Sequence, residues 1–192
     1  MDVRKLQATL GVPVDGIVGR GTLTALFRKC GASLDRAQEL ALAANVLFHS
    51  YDIMVSALRL AHFMAQLMHE SASFRYMEEL ASGQAYEGRE DLGNTEPGDG
   101  KRFKGRGPIQ LTGRANYRKF GRRIGIDLER HPEIAAIPSI GLHTALEYWR
   151  DRDLNALADV DDVVAITRKI NGGTNGLADR RAHLAKLKGW LT

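Results

Sequence analysis

Apolar residues recur at helical spacing along most of this chain, whereas almost no segment alternates apolar and polar residues as a strand would. The helical patterns cover residues 2–10, 22–29, 34–48, 54–70, 140–150, 163–170 and 177–187. With 192 residues, of which 44% are hydrophobic and 26% charged, the chain suits one globular domain, or one domain with a small appendage. We therefore predict a mainly α fold with at most a small β-hairpin near residues 103–111.

Residues that start or stop helices delimit these patterns. The predicted N-caps are Thr22, Ser33, Ser139 and either Asp161 or Asp162. Gly31 and the run Asn171-Gly172-Gly173 are typical of helix C-termini. The segment 82–113 differs from the rest because it holds eight glycines, Pro97 and Pro108 and shows little periodicity. A loop of this length inside a compact domain is usually functional.

The net charge of +4 is unevenly distributed along the chain. Acidic residues dominate from Glu78 to Asp99, and basic residues dominate from Lys101 to Arg130. One interpretation is a pair of solvated faces that attract each other. The other is a cleft with carboxylates on one wall and affinity for an anionic polymer on the other. The pattern is compatible with both.

Residue types and their spacing exclude several kinds of site. His69-Glu70 begins a zinc-peptidase motif, but position 73 is Ser73 instead of His, and the scattered histidines and single cysteine form no metal set. The run from Gly105 departs from the dinucleotide fingerprint at Gln110, and no Gly-x-Ser-x-Gly elbow is present. We expect neither a metal nor a cofactor. Cys30 forms no intrachain disulfide, which indicates a reducing compartment.

Carboxylates are the remaining candidates for chemistry. Glu70 ends the apolar stripe of the 54–70 helix, where partial desolvation favours a protonated carboxyl, as a general acid requires. A second carboxylate must then face it across the substrate. In an unbroken helix Glu79 would lie about 13 Å further along the axis and half a turn round. Glu79 therefore qualifies only if the chain turns near residues 71–74, and the alternatives are Glu78, Glu87 and Glu90.

Several motifs resemble glycoside hydrolase family 19, which includes plant-type chitinases and the lysozyme-like endolysins of bacteriophages. The matching residues are His69-Glu70-Ser71, Tyr86-x-Gly88-Arg89, Leu92-Gly93-Asn94, Gly98-Asp99-Gly100, the run from Phe103 to Tyr117, and Ile170-Asn171-Gly172-Gly173. The long central motif is highly specific, and the resemblance spans residues 36–192. It implies a lysozyme-like, two-lobed helical fold around a central groove. It also implies hydrolysis of a β-1,4-glycosidic bond next to an N-acetylated sugar, with inversion.

The resemblance assigns roles to individual residues. Glu70 matches the family's general acid, and the second carboxylate falls on Glu79 by endolysin-type spacing or on Glu87 by chitinase-type alignment. Thr112 retains a hydroxyl that is suited to hold the attacking water. The residues implied to contact substrate are Gln110, Asn116, Tyr117 and Asn171. Arg180 or Arg181 is implied to close the groove.

Residues 1–32 resemble about half of a peptidoglycan-binding module. The matching residues are Leu6-Gln7, Leu10, Asp15-Gly16, Gly19, Thr22 and Leu26. Two interpretations remain open for this helix–turn–helix segment: it binds the cell wall, or it only packs on the catalytic domain, residues 33–192.

The leading functional prediction is an endolysin, a muramidase that hydrolyses peptidoglycan and lyses the host cell. The alternatives are a chitinase on the same scaffold and a non-catalytic wall- or nucleic-acid-binding protein that uses the basic run 101–130. We expect a monomer that binds no nucleic acid and makes peripheral contact with an anionic wall or outer membrane. The N-terminus lacks the apolar stretch of a secretion signal. We therefore expect a host-cytoplasmic protein, and the resemblance implies that it reaches the wall in the periplasm after release by a separate membrane-permeabilising protein.

Overall fold

The computed structural model describes residues 1–192 and consists of ten α-helices joined by turns, short 3-10 helices and loops. The helices are α1 (Val3–Leu10), α2 (Arg20–Lys29), α3 (Leu34–Ser50), α4 (Ala57–Glu70), α5 (Asp99–Arg102), α6 (Arg114–Ile124), α7 (Pro138–Asp151), α8 (Leu154–Asp159), α9 (Val163–Asn171) and α10 (Leu177–Leu191). There is no β-sheet; two isolated antiparallel bridges join Arg106 to Glu78 and to Leu111. The predicted mainly α fold is confirmed. None of the ten helices combines the length and apolar composition that a bilayer-spanning segment needs.

Helix α4 lies at the centre of the molecule, with ten of its fourteen residues buried. Helix α10 packs along α4, and α3 packs against both α2 and α7. Phe63 of α4 meets Phe48 of α3 and Trp149 of α7 edge-on, with ring centroids 5.7 and 5.2 Å apart. Edge-to-face pairs of this kind are favourable beyond the area they bury. Because other helices pack around α4, the backbone position of its last residue, Glu70, is fixed.

Two of the predicted helix N-caps are confirmed by the structure, and two are wrong. Ser33 and Asp162 each accept a hydrogen bond from a backbone N–H in the first turn of the following helix, so these caps are confirmed. The predicted caps Thr22 and Ser139 are wrong, because α2 and α7 begin before them. Pro138 occupies the first position of α7, where its fixed φ favours a helix start. Thr22 is buried inside α2.

Helices α1 and α2 share one hydrophobic core with the rest of the chain. Their buried apolar residues, with those of the following turn, are Leu6, Leu23, Leu26, Phe27, Cys30 and Ala32. The Phe27 ring meets Phe74 edge-on at 5.3 Å and lies 6.3 Å from Phe48. These contacts agree with the packing interpretation of residues 1–32, and wall binding by them stays a prediction.

Replacing Phe27 with Ala tests how far this segment stabilises the molecule. The side chain is fully buried between two aromatic rings, so we expect the free energy of unfolding to fall by about 3–5 kcal/mol in chemical denaturation. Ile17→Ala is the control, because Ile17 lies in the same segment and is 68% exposed. It should change stability by less than about 0.5 kcal/mol. Equal stability of the two variants would mean that residues 1–32 contribute nothing to the common fold.

Ion pairs join the acidic and basic segments. Arg114 of α6 donates two hydrogen bonds to the buried Asp99 and thereby lowers the pKa of that carboxyl. Within the basic segment, Arg118 and Arg114 hold the pKa of Glu129 at about 2. Arg106 pairs with Glu78 at 3.0 Å. The two segments therefore attract each other, as the first interpretation of their charges predicted, and these contacts fasten the glycine-rich loop to α6.

Candidate active site

A sharp turn separates the two candidate carboxylates. Helix α4 ends at Glu70, and the next residues include three with left-handed φ: Ala72 at 49°, Ser73 at 60° and Phe74 at 62°. Each such residue costs roughly 1–2 kcal/mol when it is not glycine, so other contacts must stabilise the turn. Glu79 therefore remains a candidate for the second carboxylate, because the chain turns near residues 71–74 and no continuous helix joins Glu79 to Glu70.

Contacts from residues distant in sequence hold this turn. The Ser71 hydroxyl accepts a hydrogen bond from the Phe74 N–H at 2.8 Å. Arg36 of α3 donates to the carbonyl oxygens of residues 74 and 75. Gly31, with φ of 112°, lies so close that an added Cβ would be 2.7 Å from the Ser73 carbonyl oxygen. The N-terminal part of the chain therefore determines the direction in which residues 75–79 leave α4.

A groove of about 620 Å³ opens beside Glu70. Helices α4, α6, α7, α9 and α10 and the glycine-rich segment all contribute side chains to it. The predicted site residues that line it are Glu70, Gln110, Thr112, Asn116 and Asn171. One groove thus gathers residues that are up to 111 positions apart in sequence, from His69 to Arg180. No group of three or more His, Cys, Asp and Glu side chains lies close enough to hold a metal ion.

On one wall, Glu70 pairs with Arg180 of α10, with Oε1 2.5 Å from Nη2. The guanidinium is 1% exposed and also donates to Gln66 Oε1. Of the two arginines considered from the sequence, Arg180 is therefore the one in the groove, and Arg181 is exposed. The sequence placed Glu70 at the end of an apolar stripe and did not indicate that it pairs with Arg180. The sequence did contain an indication that Arg180 is buried, since Arg180 shares a helical face with Leu184 and the other buried leucines of α10.

His69 also lines this wall. Its Nδ1 lies 2.7 Å from Asp179 Oδ2, and this hydrogen bond lowers the pKa of the Asp179 carboxyl. The imidazole rests directly against Gly176, which is the N-cap of α10. Residue 69 is thus fixed from two sides, and the carboxylate next to it in sequence is held by the same helix.

Glu79 lies next to the groove, in contact with the groove residue Tyr86. Its Oε1 accepts a hydrogen bond from the Tyr86 hydroxyl and its Oε2 accepts one from the Gly105 N–H, both at 3.1 Å. Burial, together with the Glu79 carboxylate, raises the pKa of Tyr86, which therefore remains a donor at neutral pH. Glu79 is not itself among the residues that line the groove, but Tyr86 is.

Glu87, the alternative base, has a different environment. Its two carboxylate oxygens accept hydrogen bonds from the N–H groups of Gly98 and Gly100, at 2.6 and 2.8 Å. It does not line the groove. These contacts join two parts of the glycine-rich loop at the start of α5.

The amide and hydroxyl side chains of the groove donate hydrogen bonds to backbone carbonyl oxygens. The Thr112 hydroxyl donates to the Gln110 carbonyl oxygen at 2.9 Å, and Asn116 Nδ2 donates to the Thr112 carbonyl oxygen at 2.8 Å. Asn171 Nδ2 donates to the Asn175 carbonyl oxygen at 2.9 Å. Each side chain retains an oxygen that can accept a hydrogen bond from a ligand.

Tyr117 departs from the predicted role. It is fully buried and does not line the groove. Its hydroxyl donates to the Lys104 carbonyl oxygen at 2.7 Å and accepts from Arg106 at 3.1 Å. A direct contact with substrate does not fit this placement, and Tyr117 instead supports the loop that carries Gly105 and Gln110. Residue type alone cannot distinguish an aromatic side chain of the core from one of a groove.

Sequence comparison identifies the family. A family model described as class I chitinase, of the glycoside hydrolase 19 type, matches residues 52–170, which is more than half of the chain. The chain belongs to glycoside hydrolase family 19. It is 37% identical over 102 residues to a glycosyl hydrolase family 19 domain-containing protein of Haemophilus influenzae, covering 53% of this chain and 49% of that protein. It is 34% identical over 155 residues to an endochitinase of Arabidopsis thaliana, covering 80% and 53% respectively.

This family 19 chain spans about half the length of the curated relatives it matches. Its fold is similar to that of a class IV family 19 chitinase from Zea mays, with a TM-score of 0.65 and 22% identity over 91% of this chain and 92% of the other. The predicted chitinase-like helical fold and the predicted glycoside hydrolase family are thereby confirmed.

Gly176→Ala should disturb the groove of this glycoside hydrolase. An added Cβ would lie 2.2 Å from His69 Cε1, so the imidazole must leave its position. We expect kcat/KM to fall by about tenfold or more, since small displacements of groove residues have effects of that size. Gly172→Ala is the matched control: its φ of 75° equals the 73° of Gly176 within 2°, but its Cβ meets nothing within 4 Å. Equal losses in both variants would indicate backbone strain alone.

Proposed function

We propose that the protein hydrolyses β-1,4-glycosidic bonds next to N-acetylated sugars, with inversion, using Glu70 as general acid and Glu79 as general base. The observation that carries the proposal is the arrangement of these carboxylates. A turn of left-handed residues interrupts the helix between them. Glu70 lines the groove, and Glu79 accepts a hydrogen bond from Tyr86, which lines the same groove. Inverting glycosidases need two carboxyl groups on opposite faces of the sugar, with room for a water molecule.

The reaction needs two proton transfers, one at each carboxyl group. Glu70 gives its proton to the leaving glycosidic oxygen, and Glu79 takes a proton from the attacking water. Arg180, already 2.5 Å from Glu70, stabilises the carboxylate that remains after Glu70 has donated. The Tyr86 hydroxyl and the Gly105 N–H each donate to one oxygen of Glu79 and so orient its carboxylate, and each oxygen keeps a lone pair that can accept from the water.

Thr112 is suited to position the water. Because its hydroxyl hydrogen is engaged by the Gln110 carbonyl oxygen, the hydroxyl oxygen acts as an acceptor. A water that donates one hydrogen to Thr112 and the other to Glu79 directs its lone pair toward the anomeric carbon. Gln110, Asn116 and Asn171 supply groups that suit the acetamido and hydroxyl groups of the sugar chain.

Peptidoglycan is the substrate that we propose, and host-cell lysis is the role that follows. Supporting features are the net charge of +4, three arginines in the groove and the wall-binding-like pattern of residues 1–32. Peptidoglycan is anionic, so a positive surface favours contact with it. A monomer that acts on the wall in the periplasm, without a cofactor, completes the proposal. Chitin is the second candidate, because several relatives are named as endochitinases.

Product analysis tests both candidates. Purified sacculi and chitin oligosaccharides are incubated separately with the enzyme, and released reducing ends are measured. Mass spectrometry of the muropeptides identifies the bond, and proton NMR during the first turnovers identifies the anomer. We expect release from sacculi and an α-anomer product. Release from chitin alone would replace peptidoglycan by chitin, and a retained β-anomer would contradict the two-carboxylate inverting mechanism.

A further inference from the structure

Three arginines line the groove, and two of them donate hydrogen bonds to an acidic side chain. Arg180 pairs with Glu70. Arg89 donates two hydrogen bonds to Asp91, at 2.8 and 2.5 Å. Arg152 has no side-chain hydrogen bond to any acid, which makes it the groove cation whose charge is least compensated.

The surroundings of Arg152 hold it in place. It follows the last residue of α7, and its guanidinium carbon lies 3.5 Å from the centroid of the Tyr148 ring. Its Nη1 is buried and has no hydrogen-bond partner. The nearest carboxylate oxygen, from Asp151, is 3.5 Å away, and that carboxylate is already bound by Lys119 at 2.6 Å and by Arg123 at 2.8 Å.

The charge around this end of the groove is positive. Lys169 donates to the Arg152 carbonyl oxygen at 2.9 Å, so a second cation lies on the same side. Ile170 and Asn171, the next residues of α9, line the groove beside it. A stacked guanidinium presents its N–H groups in a plane that matches a carboxylate, and the Arg152 side chain is 28% exposed, so its N–H groups other than Nη1 can reach a ligand.

We propose that Arg152, stacked on Tyr148, forms a subsite that binds a carboxylate substituent of the sugar chain. This inference rests on the proposed cleavage in the same groove and specifies the substrate further. Peptidoglycan offers such carboxylates on its stem peptides and, once the peptides are removed, on its lactyl groups, whereas chitin has none. The subsite therefore favours an acidic polysaccharide over a neutral one.

Arg152→Gln tests the subsite, and Arg168→Gln is the matched control. Arg168 is exposed, makes no side-chain contact with an acid and does not line the groove, so its replacement changes the net charge equally. Kinetics are measured on three substrates: intact sacculi, glycan strands stripped of peptides, and neutral chitin oligosaccharides. We expect Arg152→Gln to lower kcat/KM on a carboxylated substrate by at least about tenfold more than on chitin oligosaccharides, the scale of a lost charged hydrogen bond. Arg168→Gln should show no such difference.

The pattern of losses identifies the source of the carboxylate. A loss on intact sacculi alone points to stem-peptide carboxylates, and a loss on stripped strands points to the lactyl group. Equal losses on charged and neutral substrates, or none at all, would overturn the subsite.

Binding of a soluble disaccharide-tripeptide, measured by calorimetry, separates this inference from the proposed function. If the wild-type protein cleaves nothing but Arg152→Gln still weakens this binding by about tenfold, the function fails and the subsite stands. If the wild-type protein cleaves sacculi and the variant binds equally well, the function stands and the subsite fails.

Discussion

Glu70→Gln is expected to lower turnover by at least about a hundredfold, the usual contribution of a positioned general acid. Glutamine keeps the shape of the side chain and an oxygen that accepts from Arg180, but it has no proton to give to the leaving oxygen. Turnover is measured as reducing ends released from the preferred substrate. Near wild-type turnover in a folded variant would contradict the proposed mechanism.

The same variant should also lose some stability. From the sequence alone the melting temperature should barely change, because Glu70 looks like a helix-end residue. The structure alters this expectation, since the guanidinium of Arg180 is buried and loses its charged partner. We expect a loss of about 1–3 kcal/mol, which corresponds to roughly 2–4 °C per kcal/mol for a chain of this size. Glu90→Gln, at an exposed residue outside the groove, should change neither stability nor turnover.

Glu79→Gln is expected to have the second largest effect, a fall in turnover of about 10²–10⁴-fold. The amide no longer takes a proton from water. It also places an NH₂ group where the carboxylate accepts from Tyr86 or from the Gly105 N–H, so one donor loses its partner. Single-turnover and steady-state kinetics on the same substrate measure the effect.

Glu87→Gln is the matched control for Glu79→Gln. Glu87 likewise accepts two hydrogen bonds, from Gly98 and Gly100, so both variants lose one acceptor and some loop stability. We expect the Glu87 variant to retain turnover. If it is inactive while the Glu79 variant is fully active, Glu87 is the base. If both variants are active, uncharged groups hold the water, and the two-carboxylate mechanism is wrong.

Much of the fold could be predicted from the sequence because helices depend on neighbours three and four residues apart. The apolar spacing located the helix that ends at Glu70, and the Ser33 and Asp162 caps were recognisable from residue type. Helix α6 was not assigned, since seven of its eleven residues are charged, polar or glycine and only a few face the core. The wrong caps, Thr22 and Ser139, show that a suitable residue type marks a helix start only within a few positions.

The candidate site was predictable in its residue types but not in its arrangement. The family resemblance pointed to Glu70, Thr112 and the groove amides, and these do line one groove or its neighbourhood. Tyr117 was misplaced, and Tyr148 and Arg152 were missed. Tyr148 and Arg152 belong to no motif. They reach the groove because α7 contacts α9, where the Tyr148 hydroxyl donates to the Ile170 carbonyl oxygen, and α4, where Trp149 meets Phe63.

The sequence by itself determined seven of the ten helices, their approximate ends and the carboxylate at the end of α4. It did not determine the turn at residues 71–74, because three left-handed residues in succession are locally unfavourable. Contacts made by Phe27, Gly31 and Arg36 compensate for that cost, and they exist only when distant segments have packed. Tertiary structure likewise pairs Glu70 with Arg180, across 110 positions, since a side-chain pair of that separation depends on how α4 and α10 meet.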